Sequence, residues 1–99
     1  MAEFGSTLVV VETSAGQLRE VSLEALTVAL DLADGAPVTV LVLGANIDDA
    51  ARHVASCGPA RVLTVDHPAL DRYTTDAYTA AIEAAIATEN PDLVVLAGT

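Results

Sequence analysis

Apolar residues along the chain alternate between short runs and stripes of helical spacing. Thr7–Glu12 (TLVVVE), Pro37–Leu43 (PVTVLVL), Arg61–Asp66 (RVLTVD) and Asp92–Ala97 (DLVVLA) are short, β-branched and almost continuously apolar. Such runs read as strands buried on both faces. Between the first two, Leu23, Leu26, Leu30 and Ala33 recur at i, i+3, i+7 and i+10, which predicts an amphipathic helix. Ser22 is the expected N-cap, and Gly35 with Pro37 the expected stop. Ile47, Ala50, Ala51, Val54 and Ala55 form a second stripe, opened by Asn46 and Asp48 and closed by Gly58-Pro59. The third is Tyr78, Ala81, Ile82, Ala85 and Ile86, capped by Thr74 or Thr75 and stopped at Asn90-Pro91.

The order βαβαβαβ with buried strands predicts an α/β fold, a parallel doubly wound, Rossmann-like sheet with strand order 3-2-1-4. Right-handed crossovers then put the first two helices on one face and the third alone on the other. One helix under-covers a four-stranded sheet, and each exposed Val or Leu forfeits roughly 1.5–3 kcal/mol of burial. The expectation is an incomplete sheet lacking its next helix, with self-association through the bare face at low salt.

Composition narrows the function. The 99 residues allow one domain, and 53% hydrophobic content excludes a disordered segment. Fourteen acidic residues face four Arg and no Lys, giving a net charge of −10. That balance argues against nucleic acid or an anionic membrane as partner. It fits a solvated acidic surface, a high-salt organism, or the acidic half of a complex with a basic subunit. No apolar run is long enough to span a membrane, no signal peptide is visible, and a single Cys cannot form an internal disulfide. The expected setting is cytoplasmic, or the mitochondrial matrix in a eukaryote. Residues 1–6 read as a tag or unstructured start, with Glu3–Ser6 resembling a cloning scar, and 7–99 as the domain.

Chemistry in this architecture sits at the carboxyl ends of the strands. The residues there are Glu12-Thr13-Ser14, Gly44-Ala45-Asn46, Asp66-His67 and Gly98-Thr99, of which Glu12, Gly44 and Gly98 are the strand-end candidates for binding. None makes a catalytic constellation, and neither G-x-G-x-x-G nor G-x-x-x-x-G-K-[ST] occurs. Asp66-His67 could be an acid–base pair or a metal site, but no second ligand is placed to join it, so a capping or solvent-facing pair is expected. His53 is expected on the surface, Cys57 as a small packed hydrophobe, and Tyr78 in the core; Tyr73 could stack on a base. No metal, no catalytic group and no cofactor is expected on this chain, which reads as no enzyme.

The segments together carry a resemblance. Thr7–Glu12 followed by Gly16–Ser22, then Cys57–Leu63, Asp66–Leu70 with Tyr73-Thr74, and Pro91–Thr99 resemble, in order and spacing, the opening domain of electron transfer flavoprotein alpha subunits. Members commonly carry Glu-His after the first strand, whereas Thr13 follows Glu12 here. The resemblance implies an N-terminal scaffold domain that pairs with a beta subunit. FAD would belong to a further domain of the parent protein, which carries electrons from dehydrogenases to an acceptor. The alternative from another class is a stand-alone nucleotide-binding domain of the universal-stress type. A third is an acidic assembly domain unrelated to flavoproteins.

Overall fold

The computed structural model describes residues 6–14, 17–33, 35–70 and 75–96. In chain order the elements are β1 (Thr7–Ser14), β2 (Gln17–Leu18), α1 (Glu20–Ala33), β3 (Val38–Gly44), α2 (Asp48–Ser56), β4 (Arg61–Asp66), a 3-10 turn (Pro68–Leu70), α3 (Thr75–Glu89) and β5 (Leu93–Leu96). β3 and β5 flank β1 in parallel, and β4 lies outside β3. The four long strands therefore run β4-β3-β1-β5, the 3-2-1-4 order expected from the sequence.

The two faces divide as the crossover rule requires. Val9, Val11, Val38, Val40 and Val42 point to one side, where Leu26, Ala29 and Ala33 of α1 and Ala50 and Val54 of α2 cover them. Leu8, Val10, Leu41 and Leu43 point to the other, against Leu70 and the Tyr78 and Ala85 positions of α3. Tyr78 is core, and its hydroxyl donates to the Leu70 carbonyl at 3.2 Å. The α3 face is thinly covered. Leu96 is 59% exposed, and a groove of about 420 Å³ opens between α3 and the edge strand β4, lined by Leu41, Leu63, Val65, Ala81 and Ala85. Arg61 at the start of β4 closes one end of it by pairing with Glu89 at 2.9 Å.

Three local expectations are corrected. The first strand continues past Glu12 to Ser14, because Thr13 and Ser14 pair antiparallel with Gln17 and Leu18 in a hairpin. Ser22 is not the cap of α1. The helix begins at Glu20, with the Arg19 carbonyl accepting from the N–H groups of Ser22 and Leu23, and Ser22 lies fully buried in the first turn. A buried hydroxyl must find partners, and it finds the Glu12 peptide: it donates to the Glu12 carbonyl at 3.4 Å and accepts from the Glu12 N–H at 3.3 Å. Cys57 is exposed rather than packed, its thiol 3.5 Å from the His53 carbonyl. His53 is exposed as expected.

The expected stops hold. Gly35 and Gly58 take φ of 89° and 98° after α1 and α2, a region that glycine enters without a Cβ penalty. Asn90 ends α3 at φ 46°, its N–H donating to the Ile86 carbonyl. The expected caps Thr74 and the Thr75 side chain, along with Tyr73, lie outside the described residues.

Candidate functional site

The carboxyl ends of β1, β3 and β4 form a rim where the strand-end residues meet. Gly44 leaves β3 next to Thr13 of β1. A Cβ built on Gly44 would clash with Thr13 Oγ1 and stand 2.8 Å from Ile47 Cγ2. The sequence suggested only a flexible exit there; the structure shows a close crossing that leaves no space for a side chain. Thr13 holds its side of it by donating to the Leu43 carbonyl at 3.1 Å.

Asp66 ends β4 beside this crossing. Its carboxylate accepts from the Asn46 N–H at 3.0 Å and the Ile47 N–H at 3.3 Å. Those amides precede α2, where Ile47 occupies the cap position and offers no side-chain acceptor. Asn46 was expected to open the helix. It lies instead one residue before the cap position, at φ 57°, and the carboxylate that holds its N–H comes from twenty residues further along the chain. The His67 N–H then donates to the Gly44 carbonyl at 3.0 Å. The Asp66-His67 dipeptide thus ties β4 to β3 and to the residues that lead into α2. Among the described residues no group of three His, Cys, Asp or Glu could hold a metal ion.

We expect Asp66→Ala to lower stability by about 1–2 kcal/mol, the usual worth of hydrogen bonds to a charged group at a partly exposed site. Thermal unfolding followed by circular dichroism measures it, and an unchanged midpoint would refute the stabilising role of this tie.

Glu12, half-buried two residues before the end of β1, is the one described carboxylate whose pKa departs clearly from its ordinary value. Burial raises it above its ordinary 4.5, and the Arg19 charge opposes only part of that. The folded chain therefore holds a proton that the unfolded chain has released, over the range above 4.5. Stability falls as pH rises through that range, and the penalty is complete once the folded carboxyl is ionised. Glu12→Gln is expected to be more stable than the parent at neutral pH, with the gain vanishing as pH drops below 4.5. Denaturant melts at the two pH values measure this; an equal gain at both would rule it out.

What the rim can do chemically is limited by what it already does. An anion such as a phosphate is held by free amides at a helix N-terminus. Here the Asn46 and Ile47 amides are taken by a carboxylate, whose own charge repels an anion. Gly98, the remaining strand-end candidate, lies outside the described residues. Among the described residues no helix is long and apolar enough to cross a membrane.

A parallel, doubly wound α/β domain whose strand-end groups are engaged with one another is the class this geometry defines. Within that class the chain belongs to the electron transfer flavoprotein domain family, which it matches over residues 7–99. It is 32% identical over 92 residues to the electron transfer flavoprotein subunit alpha of Bacillus subtilis, covering 93% of this chain and 28% of that protein. It is 32% identical over 101 residues to the subunit alpha of Megasphaera elsdenii, covering 100% and 30%. The acryloyl-CoA reductase electron transfer subunit beta of Anaerotignum propionicum is 29% identical over 90 residues, covering 89% and 24%. The chain thus spans under a third of the length of each. The family resemblance carried by the strand and loop segments is borne out.

Proposed function

We propose that this chain is the N-terminal domain of an electron transfer flavoprotein alpha subunit and serves as its scaffold and interaction domain. The parent heterodimer would carry electrons from dehydrogenases through FAD to an acceptor, with the flavin held by a further domain. Its partner would be the beta subunit and its setting cytoplasmic. The observation that carries this reading is the engaged rim: in a family of electron carriers, this sheet spends the residues that usually bind ligands on joining β1, β3, β4 and α2. Such a domain offers surfaces to partners rather than groups to a reaction.

The test has two arms. The purified chain should show no visible flavin absorption after incubation with excess FAD, and no saturable thermal stabilisation by AMP or ATP. Co-expressed with an electron transfer flavoprotein beta subunit, it should co-purify with it. Stabilisation by a nucleotide would favour a stand-alone nucleotide-binding domain instead, and a stoichiometric yellow chain would refute the scaffold reading.

A further inference from the structure

The outer flank of α1 is apolar where a surface helix should be polar. Val21, Val28 and Leu32 are 40%, 53% and 54% exposed. With the half-buried Ala25 they recur at i, i+4, i+7 and i+11, one stripe down the length of the helix. Packing on the sheet does not account for them, since Leu26, Ala29 and Ala33 make that contact. Leu30, on the opposite flank, lines a cleft with Gly58 and Ala60 beside α2. The exposed stripe therefore lies on the flank turned away from α2.

Its border is charged with one sign. Glu20, Glu24 and Asp31 are exposed, and α1 carries no Lys or Arg. At about 100° per residue these three carboxylates cluster on one arc that adjoins Val28. An apolar ridge edged by an acidic one, on a chain of net charge −10, is complementary to apolar side chains bordered by Lys or Arg. A second copy of this chain would bring two acidic ridges together. An anionic membrane or nucleic acid would be repelled.

We propose that this stripe is a docking surface for a protein partner presenting apolar side chains rimmed by basic residues. On the reading above, from which the partner's identity follows, the occupant is the beta subunit. The experiment is titration of purified beta subunit into this chain by calorimetry, with two variants. Val28→Gln/Leu32→Gln keeps helix propensity and folding, to be verified by circular dichroism, and should weaken binding by roughly tenfold or more. Glu20→Gln/Glu24→Gln/Asp31→Asn should weaken it a few-fold and flatten its dependence on salt between about 0.05 and 0.5 M. Unaltered binding by the folded apolar variant would overturn the surface while leaving the proposed function standing. Absence of binding by the parent chain would overturn both. A dimer of the parent chain in sedimentation velocity, lost in the Val28→Gln/Leu32→Gln variant, would assign the stripe to a second copy and equally overturn the proposal.

Discussion

Gly44→Ala is expected to destabilise the domain by about 3 kcal/mol, a cost at the upper end for overpacking. The added methyl would clash with Thr13 Oγ1 and crowd Ile47 Cγ2 at 2.8 Å. Neither neighbour can swing away cheaply. Thr13 is β-branched, pinned by its hydrogen bond to the Leu43 carbonyl, and Ile47 is 1% exposed. For a domain of this size the loss corresponds to a fall in Tm of about 10–20 °C. A Thr13→Ala background removes the hydroxyl and should recover part of the loss, so the two substitutions should couple in a double-mutant cycle. Additive effects, or a Gly44→Ala cost within about 0.5 kcal/mol, the range of an ordinary surface substitution, would mean the crossing is looser than described.

The second large effect contrasts two leucines on the α3 face. Leu41 is 1% exposed at the centre of the sheet, whereas Leu96 is 59% exposed on the edge strand. Leu41→Ala should cost about 3–4 kcal/mol, through lost burial and a cavity between β3 and α3. That is a large share of the 5–15 kcal/mol that stabilises a typical domain. Leu96→Ala should cost about 0.5 kcal/mol or less, because most of that side chain already lies in water. Urea melts of the two variants make the comparison. Equal losses would mean that β5 is covered as well as β3 is, contrary to its exposure.

Much of the fold was legible because its signals are local and repeated. Leu26, Ala33, Ala50, Val54, Tyr78 and Ala85 sit in the core at positions that helical spacing marks. The four apolar runs are the four parallel strands. Layer assignment followed from the handedness of crossovers, which needs strand order but no side-chain detail. Family membership was legible in the same way, through several weak segments in one order.

The rim was less legible because its partners are distant in the chain. Ser22 has the sequence context of a cap, yet a buried β1 peptide ten residues earlier claims its hydroxyl. The carboxylate that holds the amides leading into α2 is Asp66, which no inspection of Asn46 or Asp48 could name. The Gln17–Leu18 strand is too short to carry a period of its own and exists by pairing with Thr13 and Ser14. The outer stripe of α1 escaped because Val28 and Leu32 fall off the core period, so their exposure emerges only when the helix is docked.

By itself, then, the sequence determined the alternation of elements, the sheet order and the family, since hydrophobic period and chain-reversing residues act over a few positions. Tertiary structure decided what each polar strand-end residue does. A buried donor or acceptor takes whichever partner the packed fold brings within about 3 Å, and for Thr13, Ser22 and Asp66 that partner lies ten or more residues away.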